Sequence, residues 1–126
     1  MSEIWKPING FPNYEISNLG NVKSKTRSKE KILKPFKNSK GYLYVSLPKK
    51  RASVHKLVAE AFIGTKPSSD CTEINHINFN RTDNRAENLE WISHKDNIRY
   101  SMFKGNLSVK KPTTQQDIKT FLGLIN

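Results

Sequence analysis

The chain is poor in the residues that build disulfide frameworks, zinc fingers and membrane spans. Its 126 residues include one cysteine, Cys71, and three histidines. A single cysteine excludes an internal disulfide bond and fits a reducing cytoplasm, and with three histidines it cannot supply the two ligand pairs of a zinc finger. No 18 apolar residues run together, so no transmembrane helix is expected. The first ten residues lack a basic stretch followed by an apolar run, so no signal peptide is predicted.

The chain is also short of hydrophobic residues, which make up 35% of it. A chain of 126 residues forms one domain or two very small ones. Such a protein buries a thin core and has no room for a large enzyme cavity. The length and composition therefore predict an extended molecule whose functional site lies near its surface.

Acidic residues are scarce, with 11 aspartates and glutamates against 22 lysines and arginines. Residues 23–51 hold a net charge of +10 out of the chain's +11, because Glu30 is their single acid. This concentration predicts a polyanionic partner, with nucleic acid first and an anionic membrane second. The membrane is disfavoured because the cations alternate with Ser, Thr and Pro instead of lining an amphipathic helix. We expect double-stranded DNA, and no membrane, at Lys23, Lys25, Arg27, Lys29, Lys31, Lys34, Lys37, Lys40, Lys49, Lys50, Arg51 and the interleaved Tyr44.

The periodicity predicts an α+β protein with a small antiparallel β region at its N-terminus. Residues 4–47 are rich in short strand patterns and turn residues. The best strand is 41–47, with Tyr42, Tyr44 and Ser46 on one face and Leu43, Val45 and Leu47 on the other. Residues 49–51 are predicted as a basic turn, and Ser53 as the N-cap of a helix to residue 62. A strand over 72–77, a polar loop over 78–88, a strand over 89–92 and a helix from 93 to about 102 follow. Asn80 and Asn84 are expected to cap turns within the loop. Residues 113–124 are predicted as a final helix.

Three polar residues in the segment 73–98 fall at spacings with a chemical use. These are His76 at the end of a strand, Asn88 twelve residues later and Asn97 nine residues further on. An imidazole titrates near neutral pH and can take a proton from a water that attacks phosphorus. The amide oxygen of Asn97 suits a hard divalent cation. Taken alone, each residue is more often structural, but together they predict a one-metal phosphodiesterase site.

This pattern, EINHINFNRTDNRAENLEWISHKDNI, closely resembles the HNH homing endonucleases of phages and introns. The upstream segment, from Trp5 through YEISNLGNVKS to Gly41-Tyr42, resembles the modular DNA-binding motif that precedes the nuclease in that family. The resemblance covers about residues 3–103. It implies a DNA-binding region over 1–52 and a ββα-metal nuclease domain over 53–103. Residues 104–126 are expected to be a linker and a C-terminal helix, which would form a truncated DNA-reading module.

The resemblance also implies roles for individual residues. Asn75 and Asn97 would hold one Mg²⁺ or Mn²⁺, and Asn88 would brace the loop that aims His76. His55 would contact a phosphate or pack against the sheet, and cleavage would leave 5′-phosphate and 3′-hydroxyl ends. A monomer would nick one strand, whereas a homodimer would cut both. The expected location is the cytoplasm, which is the host's if a phage encodes the chain.

Two departures from the family pattern keep alternatives open. Asn78-Phe79-Asn80 replaces the usual Asp-Gly-Asn turn, and we expect Phe79 to face DNA. Asn75 brings no charge to a cation. These features favour a non-catalytic DNA-binding protein on a decayed HNH scaffold as the main alternative. A ribosome-associated RNA-binding protein would explain the charge but not the spacing.

Overall fold

A computed structural model describes residues 2–26, 29–64 and 66–102 of the chain. The first third forms a four-stranded antiparallel sheet in the order β1-β2-β3-β4. Its strands are Trp5–Ile8, Phe11–Ser17, Val22–Ser24 and Lys31–Ile32. The N-terminal part is therefore antiparallel β structure, as the alternating patterns predict. The predicted helix over 113–124 lies outside the described residues.

A second antiparallel sheet follows, with the order β5-β6-β7. Its strands are Phe36–Lys37, Leu43–Leu47 and Lys50–Ser53. In β6, Val45 and Leu47 are buried whereas Ser46 is exposed, so the predicted assignment of the two faces is confirmed. The predicted basic turn at 49–51 is wrong in part. Lys49 makes the turn with a φ of 59°, but Arg51 belongs to β7 and pairs with Ser46.

The helix predicted from Ser53 begins there and changes its pitch halfway. Helix α1 spans Val54–Val58, and the Ser53 side chain accepts a hydrogen bond from the Lys56 N–H. A π-helical turn over Ala59–Ile63 continues it. Gly64 ends the turn with a φ of 86°, a backbone conformation that glycine adopts without a side-chain clash. The pattern therefore placed the helix correctly and missed its wider second turn.

The last described elements form a strand–loop–strand–helix unit. Strands β8 (Glu73–His76) and β9 (Leu89–Ile92) pair antiparallel, and helix α2 spans His94–Met102. Ser93 caps α2, because its Oγ accepts from the Asp96 N–H at 3.1 Å. The helix packs on the sheet through Tyr100, which is buried with Ile77 and Ile92. The order of these elements matches the sequence prediction closely.

One core cluster joins the N-terminal sheets to the later elements. It includes Ile16 of β2, Val45 of β6, Val58 of α1 and Leu89 of β9. The chain is thus an α+β protein, as predicted, with side chains from both sides of residue 52 in the same core. The division into units at 52/53 stays a prediction. Within the described residues, no helix is long and apolar enough to cross a membrane.

Candidate active site

His76 is a buried histidine with a defined partner. It ends strand β8, retains 5% of its exposure, and its Nε2 lies 2.7 Å from Asn84 Oδ1. With the amide oxygen in that position, Nε2–H is the donor and Nδ1 carries the free lone pair. Burial holds the pKa of His76 below its ordinary value of 6.5, although the Asn84 hydrogen bond opposes part of that shift. The ring is therefore uncharged at neutral pH, which is the state that a general base needs.

A cluster of rings surrounds His76. His55 meets it edge to face with 5.3 Å between ring centroids, and Tyr42 lies 5.9 Å from it and 5.2 Å from His55. The Arg81 guanidinium stacks over Tyr42 at 4.7 Å, and its Nη1 donates to Lys40 O at 2.6 Å. Burial lowers the pKa of His55 to about 4, and the neighbouring His76 adds to the shift. His55 is thus packed and neutral, so it offers a phosphate no positive charge; its DNA contact stays a prediction.

Asn88 ties the two ends of the loop between β8 and β9. Its Oδ1 accepts from the Asn78 N–H at 3.0 Å, and its Nδ2 donates to Asp83 O at 2.8 Å and to Asn78 Oδ1 at 3.0 Å. Its side chain is buried and touches the loop instead of the reacting groups. These contacts are those of a loop-bracing amide, because each one joins Asn88 to residues that follow His76.

The loop itself departs from expectation at two residues. Asn84, predicted to cap a turn, instead holds His76, while Asn80 does cap a turn by accepting from the Thr82 N–H at 3.0 Å. Phe79, predicted to face DNA, is half-buried and packs on Tyr100 with 4.8 Å between ring centroids. Its φ of 67° shows that it takes the left-handed turn conformation that a glycine would otherwise supply. Phe79 therefore makes the turn while its ring packs on Tyr100.

The strand and the helix bring Asn75, His76 and Asn97 to one cleft of about 260 Å³. Cross-strand register puts Asn75 opposite Glu90 and His76 opposite Leu89, so their side chains leave the strand on different faces. Both still line the cleft, because His76 is the last residue of β8. Glu73, which no sequence motif indicated, also lines it and accepts a hydrogen bond from Asn97 Nδ2 at 2.7 Å. Strand alternation is the signal that would have found it, since residues 73 and 75 share a face.

The donors in this cleft fit a hard divalent cation. Within residues 2–26, 29–64 and 66–102, no three His, Cys, Asp or Glu side chains converge, and the oxygen donors that line this cleft include the amides of Asn75 and Asn97 and the carboxylate of Glu73. The Asn75 amide is buried, and its Nδ2 has no hydrogen-bond partner among the described residues. Turning the amide by 180° would present its oxygen at that point instead. Amide and carboxylate oxygens are the ligands that Mg²⁺ and Mn²⁺ accept.

Most of the predicted DNA-binding cations are exposed, but Lys23 is engaged within the protein. Its ammonium lies 3.5 Å from Glu15, 3.1 Å from Glu30 and 4.3 Å from the centre of the Trp5 ring. Arg27 lies outside the described residues. Tyr44 is half-buried and stacks on Phe36. The exposed cations of the segment are Lys25, Lys29, Lys31, Lys34, Lys37, Lys40, Lys49, Lys50 and Arg51.

Comparison with known proteins agrees with this geometry. A profile of the NUMOD4 motif matches residues 3–48, and a profile of the HNH endonucleases matches residues 52–99. An uncharacterized HNH endonuclease of Acanthamoeba polyphaga mimivirus is 39% identical over 94% of this chain and 31% of its own length. DNA endonuclease I-HmuI of Bacillus phage SP01 is 32% identical over 91% of this chain and 67% of its own length.

A solved structure of that phage enzyme, described as DNA binding and cleavage by the HNH homing endonuclease I-HmuI, superimposes with a TM-score of 0.69. It is 33% identical and covers 84% of this chain and 62% of its own chain. A strand–loop–strand–helix unit with His76 in its cleft, preceded by a basic β region, defines an HNH nuclease fold. The chain belongs to the HNH homing endonuclease family. It spans about a third of the length of the mimivirus relatives.

Proposed function

We propose that this protein is a metal-dependent DNA endonuclease of the HNH homing type, with His76 as the general base. The observation that carries the proposal is the buried, neutral His76 held by Asn84 in the cleft that Asn75 and Asn97 also line. A buried imidazole with a lowered pKa is ready to accept a proton from water near neutral pH. The membership of the chain in the HNH family supports the same chemistry.

Each residue of the cleft and its loop would have a separate role in phosphodiester hydrolysis. His76 accepts the proton of the attacking water, and Asn84 fixes which ring nitrogen does so. Asn88 keeps the loop closed around this pair. Asn97 and Asn75 would hold one Mg²⁺ or Mn²⁺, which supplies positive charge to the transition state and the leaving oxygen. The products would carry 5′-phosphate and 3′-hydroxyl ends.

The exposed cations of residues 25–51 form the proposed face for double-stranded DNA. Among the described residues of this segment, nine exposed lysine and arginine side chains suit contacts with phosphates, which position a duplex without reading its sequence. Arg81 lines the cleft, where a guanidinium would help to hold a phosphate near His76. A monomer would nick one strand and a homodimer would cut both. We place this action in the cytoplasm, which is the host's if a phage encodes the chain, because the chain has one cysteine and is similar to a phage enzyme.

One observation favours the alternative of a non-catalytic DNA-binding protein. The amide at residue 75 is neutral, so it offers a divalent cation an oxygen without the negative charge that a carboxylate would bring. In that case the cleft would bind DNA without cutting it. The two functions share the basic face and differ in whether the cleft catalyses DNA cleavage.

Plasmid nicking separates these functions. We expect the purified protein to convert supercoiled plasmid to open circles with Mg²⁺ or Mn²⁺ and not with EDTA. His76→Ala should slow nicking by roughly 10² or more, the usual contribution of a general base, while DNA affinity stays the same. His76→Gln is the matched variant, since its amide can still hydrogen-bond while offering no base; circular dichroism would check both folds. Full activity in either folded variant would contradict the assignment of the base.

A further inference from the structure

Glu73 is held at both of its carboxylate oxygens by helix α2. Its Oε1 accepts from Asn97 Nδ2 at 2.7 Å, and its Oε2 lies 2.6 Å from His94 Nδ1. Glu73 begins strand β8, two residues before Asn75, so the two side chains leave the strand on the same face. The carboxylate therefore joins the strand of the cleft to its helix at the position of a proposed cation ligand.

The hydrogen bond to Glu73 decides which way the Asn97 amide points. An ionised carboxylate only accepts hydrogen bonds, so the amide nitrogen of Asn97 must face Glu73. The amide oxygen then points away from Glu73, where it is available to a ligand. Without this hydrogen bond, nothing on Asn97 itself would distinguish the two orientations of its amide. Glu73 thus orients Asn97, the proposed cation ligand, by accepting a hydrogen bond from its amide nitrogen.

Glu73 also changes the charge of a cleft whose proposed ligands are neutral. Among the described residues that line it, Glu73 is the single acid, whereas Arg81 adds a positive charge. A divalent cation held by two neutral amides beside a guanidinium would lack a compensating anion. A carboxylate in the same cleft attracts the cation, and it does so more strongly than in bulk water because the surroundings are partly desolvated.

We propose that Glu73 is the anionic member of the cation site, which positions Asn97 and supplies the negative charge that Asn75 and Asn97 lack. This inference rests on the proposed function, because it specifies how the same cleft holds its cation. It assigns Glu73 as a positioning residue that acts through Asn97. The expected ligand is a hard divalent cation, for which Mn²⁺ is the probe.

Mn²⁺ binding to the full chain without DNA tests this role directly. Electron paramagnetic resonance measures free Mn²⁺, so the affinity is obtained without any activity assay. Glu73→Gln keeps an oxygen that accepts from Asn97 and gains a nitrogen that donates to His94, but it loses the charge. Glu73→Ala removes the hydrogen bonds as well. We expect Glu73→Gln to weaken Mn²⁺ binding about tenfold and Glu73→Ala by about 10- to 100-fold, the range for residues that orient a metal ligand.

Two further variants make the test specific. Glu87→Gln removes an exposed carboxylate that does not line the cleft, and it should bind Mn²⁺ like the wild type. The double variant Glu73→Gln with Asn75→Asp moves the negative charge two residues along the same face, and it should recover much of the affinity that Glu73→Gln removes. Melting curves without Mn²⁺ would establish that each variant is folded.

The outcomes separate this inference from the proposed function. Wild-type protein that neither binds Mn²⁺ nor nicks plasmid would contradict both. Wild-type protein that binds Mn²⁺ and nicks, with folded Glu73→Gln binding as tightly, would overturn the role of the Glu73 charge alone. A double variant that binds Mn²⁺ as weakly as Glu73→Gln would also overturn it, because a negative charge on this face would then not strengthen cation binding.

Discussion

At the scale of single residues, His55 has an imidazole that the fold keeps uncharged. The ring packs against Tyr42 and His76, and its Nδ1 is buried without a hydrogen-bond partner among the described residues. Burial is the main reason that its pKa falls to about 4, and the nearby His76 and Lys56 oppose its charging further. The carboxylates of Glu60 and Glu73 line the same cavity as His55, together with the ammonium groups of Lys56 and Lys66, and burial outweighs their effect on the His55 pKa. Protonation of His55 would place a charge in the ring cluster.

This burial predicts a loss of stability in mild acid. The unfolded chain takes up the His55 proton near pH 6.5, whereas the folded chain resists until about pH 4. The contribution of neutral His55 to the free energy of unfolding is therefore fully present above pH 6.5 and is lost as the pH falls towards 4. At pH 5 the loss from His55 is about 2 kcal/mol. Urea unfolding at pH 7.5 and pH 5 measures the difference. His55→Gln should lose correspondingly less stability between these pH values, and a decline equal to that of the wild type would contradict the explanation.

The spacing of His76, Asn88 and Asn97 was readable from the sequence because short elements of fixed geometry separate them. The partners of these residues were not readable. Asn84 is one of several asparagines in the loop, and only the closed loop decides that it meets His76 rather than capping a turn. Glu73 looked like an ordinary strand residue, because its contacts with His94 and Asn97 depend on how α2 docks. The candidate site residues could thus be picked out from the sequence, whereas the side chains that support them could not.

At the scale of elements, a turn of the N-terminal sheet supports the loop that holds His76. The turn between β2 and β3 includes Asn18, whose carbonyl accepts from the Ala86 N–H at 2.8 Å. Gly20 in the same turn has a φ of 88°, and a Cβ there would lie 3.1 Å from Asn84 Cβ and 3.2 Å from Asn84 O. The two elements approach this closely because residue 20 has no side chain. Asn84 therefore has the turn on one side and His76 on the other.

Gly20→Ala should consequently reduce nicking. The new methyl group would press on the Asn84 backbone and displace the side chain that fixes His76. The left-handed backbone adds strain of roughly 1 kcal/mol or more for any residue with a Cβ. Gly10→Ala is the matched control, because Gly10 has a φ of 85° with nothing within 4 Å of the added atom. Plasmid nicking at equal concentrations of folded protein compares the two, and equal rates would contradict the support that the turn gives to Asn84.

Elements with a clear apolar period were predicted well, and those formed by pairing were not. Alternation in β6 identified its buried face, because Val45 and Leu47 stand out from their polar neighbours. Strand β7 escaped prediction because Lys50 and Arg51 read as a turn; its extended form comes from pairing with β6. The π-helical turn over Ala59–Ile63 was also missed, since helical spacing hardly distinguishes it from continued α-helix.

At the scale of the whole molecule, the basic segment and the cleft are linked through one side chain. Arg81 lines the cleft, donates to the backbone of Lys40 and stacks on Tyr42. The exposed cations of residues 25–51 therefore continue to the edge of the proposed active site. Among the described cations of the basic segment, Lys23 is the exception, because Glu15 and Glu30 already neutralise it. Composition alone predicted the charge of this segment but not which cation was engaged.

The salt dependence of DNA binding should reflect this distribution. If about five exposed cations bind phosphates, log affinity should fall with log salt with a slope of roughly −4 to −5, because each bound phosphate releases counterions. Fluorescence anisotropy of a labelled duplex in EDTA measures the slope without cleavage.

Lys23→Gln should leave the slope unchanged, since that ammonium is already paired with carboxylates. A fourfold variant should flatten the slope by up to about 0.9 for each phosphate-binding lysine that it replaces. It carries Gln in place of four exposed lysines, Lys25, Lys29, Lys31 and Lys34. A slope that responds to Lys23→Gln and not to the fourfold variant would place the DNA face elsewhere, because the exposed cations would then not be the ones that bind phosphates.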